Sequence, residues 1–399
     1  MRVYLDHSAT TPLDDRVLEA MLPYLRDKFG NASSVHQFGQ EARAAVDRAR
    51  RQVASLINAR ANEVVFTSGG TEANNLVIRG ISEAAEQYGR HLIASAIEHP
   101  SVRGVVDYLE KQGWSVTRLP VYENGIVRLD DVRAALREDT ILISVMMANN
   151  ELGTIQPVGE IGALVRAERE RGRKHLWFHT DAVQGAGRIS IDVEAIGCDL
   201  LSLSAHKIYA PKGSGALFIR RGVRLFPQQV GGHQERERRA GTESVANIVA
   251  FGLAAELAQA EMQGRNRQTK RLRDRFEKEV AARIPEIILN GDRDCRLSHV
   301  SNISFRYIEG EGLLIHLDMQ GVAVSTGSAC SSGTLEPSPV ILALGRNLEL
   351  ARGAIRFSFG KDNCDEDLDY AVNALVRAVE SLRAISPLAQ DIESSVPPA

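Results

Sequence analysis

Asp199-Leu-Leu-Ser-Leu-Ser-Ala-His-Lys-Ile-Tyr-Ala-Pro-Lys-Gly-Ser-Gly-Ala-Leu-Phe-Ile-Arg220 is the stretch on which the reading of the fold turns. Leu200 to Ser204 is a short apolar run of strand length. It delivers Ser204, His206 and Lys207 into a turn that Pro211, Gly213 and Gly215 keep from becoming a helix. Taken locally, Lys207 has two readings. One is a solvated loop lysine, the usual state of that residue. The other is an amine desolvated beside Ser204 and His206, whose lowered pKa would make it a nucleophile able to form a Schiff base.

Other strand-like runs end in the same way. Glu63 to Phe66 leads into Thr67-Ser68-Gly69-Gly70-Thr71-Glu72, and His91 to Ile97 ends at Glu98-His99. Ile141 to Ala148 ends at Asn149-Asn150, and Leu176 to His179 ends at Thr180-Asp181. In an open α/β sheet, ligands sit beyond the carboxyl ends of the strands, so five strand ends define one expected site. The Ser68 to Glu72 turn opens a helix. Its free N–H groups and dipole suit an anion, although a plain N-cap by Ser68 or Thr71 fits the same residues. Asp181 follows Leu176-Trp177-Phe178 with no Lys or Arg close by in sequence. It reads either as a cap for the next turn or as a buried carboxylate that needs a cation. A protonated pyridine nitrogen at about 3 Å would supply roughly 5 kcal/mol at an effective dielectric near 20, ample to hold that ring protonated.

Composition bounds what such a site belongs to. The chain has 399 residues, 44% hydrophobic and 25% charged, with a formal net charge of -3. That excludes an electrostatic footprint for nucleic acid or anionic membrane. Two mixed-sign runs, Arg166 to Lys174 and Glu235 to Arg239, are expected to be solvated faces or interface charges. No apolar run reaches membrane-span length and Met1 to Pro12 has no signal-peptide pattern, so the expected location is cytoplasmic. The four cysteines, Cys198, Cys295, Cys330 and Cys364, match no zinc spacing and are expected to stay reduced, with Cys198 as core filler.

In chain order, Met1 to Pro12 reads as an extended arm, Asp14 to Leu25 as a helix ended near Pro23, and Gly39 to Leu56 as an amphipathic helix. Strand and helix patterns then alternate to about residue 220, the signature of βαβ units and a largely parallel sheet. Glu243 to Ile284 reads as a long connecting helix with Gly264 as a place for a kink. Strands at Asn302 to Tyr307 and Ala354 to Phe359, and helices at Gly310 to Met319 and Asp365 to Ala384, complete an α+β unit. The expected division is a large domain over 15–258 and a small one made of 1–14 plus 259–399.

Seven motifs in order carry a family resemblance: Leu5-Asp-His-Ser-Ala-Thr-Thr-Pro12, Thr67-Ser-Gly-Gly-Thr-Glu72, Asn149-Asn-Glu-Leu-Gly153, Asp181-Ala-Val-Gln184, Ser204-Ala-His-Lys207, Arg239-Ala-Gly-Thr242 and Ser325-Thr-Gly-Ser-Ala-Cys330. From about residue 3 to about residue 388 the chain resembles a cysteine desulfurase of the NifS/IscS type, a class V, fold-type I pyridoxal-phosphate enzyme. The implied fold is α/β, a large domain on a mostly parallel sheet with a smaller α+β domain that carries the catalytic cysteine loop.

That resemblance implies that Lys207 holds pyridoxal 5'-phosphate as a Schiff base, that Asp181 pairs with the pyridinium, and that Gln184 bonds the ring oxygen. His99 would stack on the ring and move protons, and Asn150 would touch the cofactor. Gly70, Thr71, Ser204 and His206 would hold the phosphate, and Thr242 would reach the phosphate of the neighbouring subunit in a homodimer. Asn31 and Arg356 would bind the carboxylate of L-cysteine. Arg356 has support of its own, because it alternates with Ile355 and Phe357 on the strand's other face, where its fork can meet a carboxylate. Cys330, among small polar neighbours, would take the sulfur as a persulfide and pass it to an iron–sulfur scaffold or another sulfur acceptor. A free thiol is only a few per cent ionised at neutral pH, and no Lys or Arg between Ser325 and Glu336 lowers its pKa.

Gly70 stands where many relatives have alanine, Ala205 where they often have glycine, and the tail after Pro387 shows no recognisable docking sequence. A selenocysteine lyase or an aminotransferase of the same class, and a non-catalytic protein on this fold, are the alternative readings.

Overall fold

Apolar β-branched and leucine runs such as His91-Leu-Ile-Ala-Ser95 and Thr140-Ile-Leu-Ile-Ser144 are buried at every position. A strand buried on both faces needs layers on both sides, the requirement of a parallel α/β sheet. The computed structural model describes residues 1–326 and 336–387 and shows that sheet. The strands in chain order are β1 (Val3–Tyr4), β2 (Val64–Thr67), β3 (His91–Ser95), β4 (Ser115–Leu119), β5 (Thr140–Ser144), β6 (Trp177–Asp181), β7 (Leu200–Ser204), β8 (Gly215–Ile219), β9 (Ile287–Leu289), β10 (Val300–Phe305), β11 (Val322–Ala323) and β12 (Ala354–Ser358).

Seven of them form one sheet in the order β2-β8-β7-β6-β5-β3-β4. The strands from β7 to β4 run parallel, and β8 is antiparallel to both β2 and β7. Alternation sorts the side chains. Val64, Phe66, Leu201, Leu203 and Phe218 face one apolar core, whereas Val65, Leu200, Leu217 and Ile219 face another.

A further core joins the two ends of the chain. Val3 and Leu5 pack with Phe276, Phe305, Ile355, Phe357 and Phe359. β1 pairs in parallel with β11, and β12-β10-β9 form an antiparallel sheet. The helix Val245–Arg283 serves both regions. Its first half buries Ile248, Phe251 and Ala255 against the large sheet, and its second half buries Leu272, Phe276 and Val280 in the second core. Its Gly252 is required by contact, since a Cβ there would lie 2.6 Å from Ala49 Cα.

Three expectations need correction. The long helix is uninterrupted at Gly264, where a side chain would meet nothing within 4 Å and packing imposes no bend. The first helix runs Asp15–Arg26 through Pro23, because the Pro23 carbonyl still accepts from Asp27 and Lys28 and so completes the last turn. Glu235 is no solvated charge. It is buried, paired with Arg50 at 2.6 and 2.8 Å, and accepts from the Phe66 N–H at 3.1 Å. Among the described residues only Val245–Arg283 is long and apolar enough to cross a membrane, and its apolar half lies in the core. Cys198 is core filler as expected, its thiol pushed up to about 12 by burial.

Candidate active site

β6 and β7 are neighbours in parallel register, Asp181 opposite Ser202, so Asp181 and the turn after Ser204 emerge side by side. That turn is a single one, Ala205–Lys207, ended where Tyr209 takes φ 71° and Pro211 follows. Its two polar side chains stay above the sheet. The N-terminal arm folds over them. Lys207 Nζ donates to the Ser8 and Ala9 carbonyls at 2.6 Å each, and Gln184 Nε2 donates to Ser8 O at 2.9 Å. Thr11 donates from both N and Oγ1 to the His206 carbonyl, and His206 Nδ1 lies 3.1 Å from Thr10 Oγ1. Burial, and next the Lys207 charge, lower the His206 pKa to about 4, so its ring is neutral at neutral pH.

At the other end, β2 leads through Gly69 into the helix Gly70–Ala85, which has no side-chain cap at Gly69. That fits the anion reading of this turn, because Gly70 and Thr71, at the helix start, line the cavity. The glycines are demanded by space. A Cβ on Gly70 would stand 2.8 Å from Val183 Cγ2, and one on Gly215 would stand 2.6 Å from Gly69 Cα.

Asp181 is 5% exposed. Its Oδ1 accepts from Val183 N at 2.9 Å and its Oδ2 from Asn74 Nδ2 at 2.7 Å, and no Lys or Arg forms an ion pair with it among the described residues. His99 caps the helix Pro100–Lys111, accepting from Ser101 N at 3.1 Å. Burial is the main cause of its lowered pKa, opposed by the Asp181 charge and reinforced by Lys207. The preceding Glu98 is fully enclosed and pushed up to about 8 by desolvation, hence protonated at neutral pH.

Arg356 on β12 is buried, not solvated. It is 2% exposed, donating from one terminal nitrogen to Asn150 O at 2.9 Å and from the other to Asp6 Oδ1 at 2.6 Å.

Gly70, Thr71, His99, Asn150, Asp181, Gln184, Ser204, His206, Lys207 and Arg356 all line one cavity of about 410 Å³. Two residues are not brought there. Asn31 is exposed with its Oδ1 accepting from Ser33 N at 2.9 Å, and Thr242 is exposed. Cys330 lies outside the described residues. Sequence reasoning missed Ser8, Asn74, Ser101 and Val183, which also line the cavity. Asn74 could have been found, since it shares a helix face with Val77, Ile78 and Ile81 as a polar group in a buried row.

A flat, phosphorylated pyridine fits this donor set. Uncapped helix N–H groups with Ser204 and His206 suit its phosphate, a buried carboxylate without an ion-pair partner among the described residues suits a protonated ring nitrogen, and Lys207 lines the same cavity. The profile of the family described as Aminotransferase class-V matches residues 3–371, and the chain belongs to that family. The "Cysteine desulfurase IscS" of Dictyoglomus turgidum is 50% identical over 389 residues, 98% of this chain and 97% of that protein. That of Methanosarcina thermophila is 48% identical over 386 residues, covering 97% and 94%. A solved "NifS-like protein" superposes with a TM-score of 0.89 at 35% identity, covering 96% of this chain and all of that one. Within class V, the chain is one of the pyridoxal-phosphate-dependent cysteine desulfurases, with the fold-type I architecture.

Proposed function

We propose that this cysteine desulfurase converts L-cysteine to L-alanine and carries the released sulfur as a persulfide on Cys330 to a sulfur-acceptor protein, a scaffold for iron–sulfur clusters or a thiolation partner. The observation that carries the reading is the convergence of Lys207, Asp181 and Arg356 on one cavity from three separate parts of the chain.

Bound there, pyridoxal phosphate supplies an electron sink that stabilises negative charge at the substrate Cα. Lys207 would hold it covalently, and its amine would move the Cα proton. Asp181 holds the ring nitrogen protonated, Gln184 and Asn150 fix the ring edge, and His99 covers one face. Gly70, Thr71, Ser204 and His206 hold the phosphate. Arg356 binds the substrate carboxylate. Asn31 is assigned the same carboxylate, and its place outside the cavity lining leaves Arg356 as the anchor on which the reading rests. The Cys330 thiolate attacks the substrate sulfur. An S–S bond forms, the Cβ–S bond breaks, its electron pair passes to the carbon side, and protonation yields alanine.

The enzyme acts as a homodimer in the cytoplasm, with Thr242 serving the neighbouring subunit's phosphate. Its large domain spans 15–258 and its small domain 1–14 plus 259–399; the core that Val3 and Leu5 share with Phe276, Phe305 and Phe357 supports the second unit, while Val340, Ile341 and Leu344 pack into the large-domain core.

Replacing Cys330 tests the central step. Cys330→Ser should keep the bound cofactor's visible absorption and its change on adding L-cysteine, while persulfide and alanine formation collapse, because a hydroxyl is too weak a nucleophile toward sulfur. Substitution of Cys198, Cys295 or Cys364 should leave the persulfide on Cys330. Substantial L-cysteine-dependent alanine from Cys330→Ser would sink the proposal.

A further inference from the structure

Asp181 and His99 are joined by two residues to which no role has been given. Asn74 is fully buried on the helix Gly70–Ala85, and its Nδ2 lies 2.7 Å from Asp181 Oδ2 and 2.8 Å from Ser101 Oγ. Ser101 Oγ lies 2.8 Å from His99 Nδ1, and the Ser101 backbone N–H points at that same nitrogen from 3.1 Å.

The direction of every bond follows from one fact, that a carboxylate only accepts. Asn74 must therefore turn its NH2 toward Asp181, since its carbonyl at 2.7 Å from the carboxylate would be repelled. One Nδ2 hydrogen goes to Asp181 and the other to Ser101 Oγ. Having accepted there, the Ser101 hydroxyl directs its own proton to His99 Nδ1. That nitrogen then accepts twice and carries no proton. Asn74 Oδ1 is left buried with no partner among the described residues, a cost of about 1–3 kcal/mol that the opposite amide orientation would exceed.

We infer that Asn74 and Ser101 are positioning residues that transmit the charge of Asp181 to His99 and fix its imidazole as the tautomer protonated on Nε2. The inference rests on the reading of this cavity as the cofactor site. It adds that the group pairing with the ring nitrogen also sets which nitrogen of His99 bears a proton. His99 is also faced by Lys207, Arg103 and Arg356, three cations that favour its neutral form.

The test is nitrogen-15 NMR of histidine-labelled holoenzyme at pH 8, with the His99 signals assigned by their loss in His99→Gln. Wild type should show His99 neutral with an unprotonated Nδ1. Ser101→Thr, which keeps the hydroxyl, should preserve that pattern. Ser101→Ala and Asn74→Ala leave the Ser101 N–H, at 3.1 Å, without the charge-linked hydroxyl bond beside it, and an Nδ1-protonated fraction should appear, with kcat down about tenfold and KM changed by less than about threefold. An Nδ1-protonated or cationic His99 in wild type overturns the inference. So does an unchanged tautomer in both alanine variants, or a Ser101→Thr protein that behaves like Ser101→Ala. Visible absorption of the bound cofactor, recorded on the same samples, tells this failure apart from failure of the site reading, since His99 reports its tautomer whether or not the protein desulfurates cysteine.

Discussion

Arg356 and Asp6 form an ion pair at 2.6 Å that ties the N-terminal arm to β12, and both partners are largely withdrawn from water, at 2% and 17% exposed. The Asn150 carbonyl occupies the other terminal nitrogen, so the fork meets the cavity in one fixed orientation. Orientation and charge can be separated by two substitutions. Asp6→Asn keeps an acceptor for the guanidinium, and KM for L-cysteine should stay within about threefold of wild type. Asp6→Ala removes it, and KM should rise about tenfold, equivalent to about 1.4 kcal/mol, with kcat nearly unchanged. Steady-state kinetics at a temperature where both variants are folded decide it. Equal KM values would show that Asp6 does not orient Arg356.

Gly70 departs from the alanine of many relatives, and Val183 explains why the departure fits. Val183 Cγ2 occupies the space in which a Gly70 Cβ would sit, at 2.8 Å. Gly70→Ala should therefore push on a cavity wall and weaken cofactor retention by about 1–3 kcal/mol, the usual cost of overpacking. The double variant Gly70→Ala with Val183→Ala should recover most of that loss. Dissociation constants from absorption titrations would check the pair, and additive effects would break the proposed coupling.

Glu98 makes the fold sensitive to pH. Its Oε1 accepts from Ser95 Oγ at 2.6 Å and Met146 N at 2.7 Å, whereas Oε2 is buried without a partner among the described residues. Burial raises its pKa from 4.5 to about 8. The folded state thus holds a proton that the unfolded chain releases above its ordinary carboxyl pKa. Stability from this group is fully present below about pH 4.5 and is lost as pH rises to about 8, by up to roughly 1.4 kcal/mol per pH unit. Glu98→Gln mimics the protonated acid and does not titrate. Its Tm relative to wild type should climb from pH 5 to pH 8 and level off above that, and a difference independent of pH would refute the assignment.

What was legible in the sequence depended on how local its cause was. β7 ends at Ser204 as read, and Asp181, Lys207 and the Gly70 turn meet at one cavity because strand ends in a parallel sheet leave no other side for them. Two kinds of fact were not legible. Contacts between distant segments, such as Glu235 with Arg50 or Asp6 with Arg356, leave no spacing in the chain that pairs them. Polar residues inside apolar rows, Asn74 above all, read as tolerated exceptions until the facing carboxylate is known. Pro23 misled because a proline removes only its own donor, which an exposed last turn tolerates.

Thr242 is the assigned residue whose place argues for a second subunit. It is exposed, it does not line the cavity of its own chain, and the segment leading to it is anchored at both sides of the phosphate end. Glu235 is clamped by Arg50, and Arg239 Nε donates at 2.8 Å to Glu72, in the first turn of the helix Gly70–Ala85. So held, Thr242 is exposed and lies outside its own chain's cavity lining, as the proposed sharing between subunits requires. Co-expressing a Thr242→Ala chain with a Lys207→Ala chain tests this. In the heterodimer, the site with intact Lys207 receives the intact Thr242 of the other chain, and both defects gather in the second site. With random pairing, half the dimers are mixed and each has one sound centre, so activity should reach about a quarter of wild type. Thr242 acting within its own chain would leave every centre defective, and the mixture would then be no more active than the two homodimers alone.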